Sequence, residues 1–129
     1  MHRLLLVYLH DFRREAVPAS CVGAYYLVQA TGAEHVIRRH ARIWLRTDCK
    51  QFCFGGTWAQ AWENGFDAED VAAHLEDEVY EIMTTVTCPD LADMREQLLL
   101  DMAQLGADEH VLLVWDDPAA LRALLQPCP

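Results

Sequence analysis

The hydrophobic positions of this chain fall into two kinds of pattern. Leu4 to Leu9 and Val111 to Trp115 are continuous apolar runs. Runs of that length suit strands covered on both faces. Elsewhere apolar residues recur at helical spacing. Val71, Leu75, Val79, Ile82 and Val86 give one buried stripe and predict a helix over 68–86, with Asp67 as its N-cap and Glu69 and Asp70 in its first turn. Leu91, Met94, Leu98, Met102 and Leu105 give a second stripe, opened by Pro89 and closed by Gly106. Asp117-Pro118 then predicts a last helix, with Asp117 capping, Pro118 at its first position and Leu121, Leu124 and Leu125 inward.

The middle of the chain is less definite. Residues 20–30 fit a helix begun by Ser20 or a strand over Tyr25 to Val28. Residues 33–46 read as a helix, because Thr31 and Glu34 form a capping-box signature; the alternative is a strand with Ala41, Ile43 and Leu45 inward. Lys50 to Phe54 reads as a short strand ending at Gly55-Gly56. A helical turn at Thr57 to Glu63 puts Trp58 and Trp62 on one face, and Asn64-Gly65 stops it. The expected fold is a single two-layer domain, α+β or α/β, over residues 1–126. Its helices pack on a small mixed sheet whose adjacent central strands are 3–9 and 111–115, and 127–129 form a short tail.

Composition supports a packed core, since hydrophobic residues make up 53% of the 129. No apolar run approaches the roughly 18 residues of a membrane span, so no membrane association is expected. The opening run lacks the length and cleavage site of a secretory signal, and a cytoplasmic location is expected. The five cysteines are odd in number and read as free thiols. Nine arginines stand against one lysine, a bias of GC-rich bacterial genomes.

Charge is uneven. Residues 1–50 hold eight Arg or Lys and four Asp or Glu, net +4; residues 51–129 hold two Arg and sixteen Asp or Glu, net −14. Such asymmetry suits halves that meet different partners, or a solubilising coat. With no nucleophile–base motif, P-loop or dinucleotide fingerprint in the chain, we read it as a non-enzymatic interaction domain. It would bind a basic protein partner through an acidic surface, in the manner of inhibitor or immunity proteins. Glu76, Asp77, Glu78 and Glu81 would supply that surface, and Trp58, Trp62 or Phe66 would anchor it if not taken up by the core. No cofactor and no metal is expected, and a homodimer is compatible with the sequence.

Two alternatives come from other residues. Leu27 to Leu45 resembles a DNA-binding helix-turn-helix, with Gln29-Ala30-Thr31-Gly32 as the turn. Arg38, Arg39, Arg42 and Arg46 fall within an arc of about 100° on the second helix. The acidic remainder of the chain would repel phosphates and argues against nucleic acid. The second alternative is a small enzyme or ligand-binding domain. His10, Asp11 and Asp116 directly follow the two continuous apolar runs. They would converge if those strands are parallel neighbours, because α/β sites gather beyond the carboxyl ends of strands. Asp117 could join them; the plainer reading is that Asp117 caps a helix and the others are solvated strand ends. Cys49 and Cys53 would share a face on a strand, but roughly 13 Å apart, too far for one metal ion. His40 falls on the apolar side of its helix and reads as a core histidine.

Overall fold

The computed structural model describes residues 3–77 and 82–126. Five strands form one all-parallel sheet: β1 (Leu4–Tyr8), β2 (Cys21–Leu27), β3 (Gln51–Gly55), β4 (Thr84–Thr87) and β5 (His110–Trp115), in the order β1-β5-β2-β3-β4. Four helices accompany them: α1 (Glu34–Leu45), α2 (Ala59–Glu76), α3 (Leu91–Ala103) and α4 (Pro118–Leu125). Two short 3-10 turns, Leu9–Asp11 and Arg14–Ala16, carry the chain from β1 to β2.

The sheet is therefore parallel, not mixed, and the helices form two layers, not one. A parallel sheet needs cover on both faces, because each crossover lays its connection over the strands it joins. On one face Ile37, Ala41 and Trp44 of α1 and Trp62 and Phe66 of α2 pack on Ala24, Tyr26, Phe52, Phe54, Leu112 and Val114. On the other, Met94 and Leu98 of α3 and Leu124 of α4 pack on Tyr25, Leu27, Cys53, Val111 and Leu113. The alternation of each strand between these two sets explains why β5 reads as an unbroken apolar run.

The two apolar runs are neighbours, with Leu4 opposite Val111 and Tyr8 opposite Trp115. Only β5 is interior, however; β1 is an edge strand, and Leu6 and Tyr8 are exposed. Residues 20–30 resolve to strand β2, and residues 33–46 to helix α1. Its N-cap is Ala33, not Thr31; the Thr31 hydroxyl instead accepts from the Ala33 amide at 3.2 Å.

The helix expected over 68–86 forms only as far as Glu76, and Asp67 lies inside it instead of capping it. α2 begins at Ala59, runs through Gly65 and ends at Glu76, and Thr84–Thr87 is β4. Its buried stripe is Ala59, Trp62, Phe66 and Asp70, while Val71 and Leu75 are exposed. Val79 lies outside the described residues. Gly65 does not stop the helix, because its missing side chain is what lets α1 approach. A Cβ there would meet Ile37 Cγ2 at 2.3 Å. Gly56 has φ of +97°, the left-handed region, and a Cβ there would press on the Val28 carbonyl. The turn from β3 into α2 thus requires glycine at that position.

The expected α3 and α4 stand. Pro89 lies before α3 instead of at its first position, and Asp90 caps the helix, accepting from the Asp93 amide at 2.9 Å; Asp117 caps α4, accepting from Ala120 at 3.1 Å. No helix among the described residues is long and apolar enough to cross a membrane.

Candidate functional site

In a parallel sheet the strand ends at the carboxyl edge are the first place to look for chemistry. β5 lies between β1 and β2, so Asp116 emerges where the connections diverge to opposite faces. Its carboxylate does not face solvent. It is 7% exposed, and its oxygens accept from the amides of Gln29 at 2.8 Å, Ala30 at 2.9 Å and Thr31 at 3.0 Å. Three backbone donors on one carboxylate make a rigid clamp between β5 and the loop leading into α1. His10 and Asp11 are exposed on the first 3-10 turn. The neighbouring strands thus bring the segment ends together as the sequence suggested, but Asp116 turns toward the β2–α1 loop. Asp117 is the α4 cap.

The second place is α1. Because Ile37, His40, Ala41 and Trp44 bury one side of it, residues at the complementary positions Arg38, Arg42 and Arg46 share the outer side, with Arg39 beside them. Arg14 joins them from the second 3-10 turn. Together with His35 and Ile43 these five arginines line a groove of about 670 Å³. Arg38 pairs with Glu34 at 2.6 Å and with Glu69 at 3.8 Å, and Arg42 pairs with Glu69 at 2.8 Å. Arg39 donates to the Phe12 carbonyl at 3.2 Å. Among the described residues, no carboxylate lies within ion-pair distance of Arg14, Arg39 or Arg46. Guanidinium groups present planar forks that match carboxylate and phosphate oxygens two at a time. Arg14 was not singled out from the sequence, because it sits 24 positions before Arg38 and only the tertiary fold aligns them. The helix-turn-helix is not formed, since the segment before the turn is strand β2.

The chain matches no family model, no curated protein and no solved structure. Its functional reading rests on its own geometry.

The acidic residues are more dispersed. Glu76 and Asp77 are exposed at the end of α2, while Glu78 and Glu81 lie outside the described residues. Val71 and Leu75 are exposed on the same end of the helix. Trp58 is 43% exposed and covers Gly32. Trp62 is fully buried, and its indole N–H donates to the Thr31 carbonyl at 2.7 Å. It belongs to the core and cannot anchor a partner.

His40 is a core histidine, as its helical position implied. Phe12 stacks on it with ring centroids 4.8 Å apart. The Trp44 indole donates to the Tyr26 hydroxyl at 2.7 Å, and that hydroxyl in turn meets His40 Nδ1 at 2.7 Å. Burial, with Arg39 nearby, pushes the His40 pKa down to about 3, so the ring is neutral. Cys49 and Cys53 fall on opposite faces of the sheet, the first with α1 and α2, the second with α3. They share no strand face. Among the described residues no group of three or more His, Cys, Asp or Glu could hold a metal ion.

Proposed function

We propose that this chain is a non-enzymatic interaction domain and that its principal contact is the arginine groove on α1, which takes an acidic segment of a protein partner. The observation that carries this is the convergence of five arginines from two separate elements on one groove. Like charges gathered without full neutralisation repel one another, and an anionic ligand relieves that repulsion. The chain as a whole carries −10, so a long duplex extending past the groove would meet an acidic surface. A short acidic segment meets only the local field, because exposed charges more than about 8 Å apart are screened at physiological salt. The enzymatic reading loses its best acid, since Asp116 is taken up by backbone.

A fluorescent Glu-rich peptide tests the proposal. Its binding should weaken steeply with salt and fall at least tenfold in the Arg14→Glu, Arg46→Glu double variant, both of whose side chains are exposed. Duplex DNA of similar charge should bind more weakly. No peptide binding at low salt, or binding indifferent to these substitutions, would remove the groove as the site.

The acidic reading keeps a second place because of one observation: Glu76 and Asp77 stand beside the exposed Val71 and Leu75 at the end of α2. An apolar and acidic surface of that kind suits a basic amphipathic segment. A Lys-rich amphipathic peptide whose binding survives the groove substitutions, and is lost on Glu76→Gln with Leu75→Ser, would place the contact there.

A further inference from the structure

Cys53 and Cys88 are 35 residues apart in sequence, yet their sulfurs stand 2.8 Å from each other. Cys53 is on β3 and Cys88 lies one residue past the end of β4. The ladder sets Cys53 opposite Val86, and the Cys88 amide donates to the Phe54 carbonyl at 2.8 Å, so the chain stays in register with β3 beyond the strand. Both side chains therefore fall on the α3 face, beside Met94 and Leu98. Bonded sulfurs are about 2.05 Å apart, so closure asks for under about 1 Å of movement, within the reach of side-chain torsions.

Access is uneven. A hollow of about 160 Å³ is lined by Tyr25, Cys53, Val86, Gln97 and Asp101, among others, and does not include Cys88. A water molecule takes about 30 Å³. Hydrogen peroxide therefore fits this space, while a bulky disulfide such as oxidised glutathione does not.

We infer that Cys53 and Cys88 form an oxidative modification site that closes, under peroxide, to an intramolecular disulfide. The Cys53 thiolate attacks one oxygen of hydrogen peroxide, the O–O bond breaks, and the departing hydroxide leaves as water after taking up a proton. Cys53 is then a sulfenic acid. The Cys88 sulfur attacks the Cys53 sulfur, displaces its hydroxyl and gives up its own proton, so a second water leaves. Two thiols are oxidised, one peroxide is reduced to two waters, and the disulfide remains. Burial raises the Cys53 thiol above its ordinary range, helped by the Cys88 hydrogen bond and by Asp101 and Glu63. The first step is accordingly slow, while the second is immediate, because the resolving sulfur is already in contact. The bond would tie the edge strand β4 to β3 and enclose α2 in a covalent loop.

The full chain, treated with excess hydrogen peroxide, quenched and alkylated, is read by intact mass and by non-reducing peptide mapping. We expect the loss of two hydrogens, a linked peptide pair containing Cys53 and Cys88, and reversal by dithiothreitol. Cys88→Ala should abolish the link and drive Cys53 on to sulfinic acid, while Cys21→Ala should leave the link intact. If Cys88→Ala does not fold, the wild-type map compared between native and urea-unfolded protein decides, the link being expected in the native chain alone. A link confined to Cys21 and Cys49, free Cys53 and Cys88 after other cysteines have oxidised, or equal linkage in the unfolded chain would each overturn the inference.

Discussion

Replacing Asp116 separates a clamp from a catalytic acid. Its carboxylate accepts three backbone amides, one on Oδ1 and two on Oδ2. A hydrogen bond to a charged group contributes about 1.5–3 kcal/mol, which gives a ceiling of about 5–9 kcal/mol for three. Gln29 and Ala30 are exposed, so water refills part of what is lost, and Asp116→Ala should cost about 3–4 kcal/mol. Asp116→Asn should cost less, about 2 kcal/mol, because its amide oxygen keeps Ala30 and Thr31 while its NH₂ turns a donor toward the Gln29 amide. Urea unfolding, followed by tryptophan fluorescence, would show the midpoint shift with an unchanged slope. Hydrogen exchange at Gln29, Ala30 and Thr31 should quicken before the core amides do. If Asp116→Ala unfolds within about 0.5 kcal/mol of the parent, the clamp contributes nothing and the carboxylate is free for chemistry after all.

Three further outcomes follow from the core. Tyr26→Phe strands the Trp44 indole N–H and His40 Nδ1, both buried, and should cost about 2–5 kcal/mol in chemical unfolding. The pKa of His40, held at about 3 when folded, ties stability to pH. The unfolded chain takes up this proton near pH 6.5 and the folded chain does not, so its contribution is complete above about 6.5 and is lost as pH falls toward about 3, spanning at most about 4–5 kcal/mol. A pH series of unfolding midpoints in which His40→Leu leaves that acid limb as steep as before would contradict this. Leu75→Ser on the exposed side of α2 should change stability by no more than about 0.5 kcal/mol, while Phe66→Ala on its buried stripe should cost about 3–5 kcal/mol; calorimetry of the pair checks the register of that helix.

Much of this fold is legible in local pattern. The runs at Leu4 to Leu9 and Val111 to Trp115 mark their strands, and Asp117 marks its helix, because a cap and a first-position proline act within one turn. α2 and β4 were not legible for two local reasons. Gly65 reads as a stop, and only Ile37 of α1, far off in sequence, explains why it sits inside a helix. Ile82 and Val86 continue the spacing of Val71 and Leu75 by coincidence, masking the β-branched run Thr84–Thr87, which was the better signal. The arginine arc of α1 was readable from spacing, but Arg14 and the backbone clamp on Asp116 depend on which loops meet. Cys53 and Cys88 likewise meet only through the register of β3 with β4.

The position of β5 ties this architecture to the order of synthesis. β1 and β2 are never neighbours; the strand between them is the last one made, and Leu4 waits for Val111. A nascent chain that has delivered β1 through β4 can pair β2 with β3 and β3 with β4, but β1 has no strand beside it to bond. The opening segment must then remain an unpaired apolar strand until His110–Trp115 emerges and inserts. Such late, distant pairing slows folding and leaves a strand edge exposed meanwhile. A ribosome stalled before His110 would therefore hold a split sheet, and chaperone capture should concentrate on Leu4–Tyr8 during that interval.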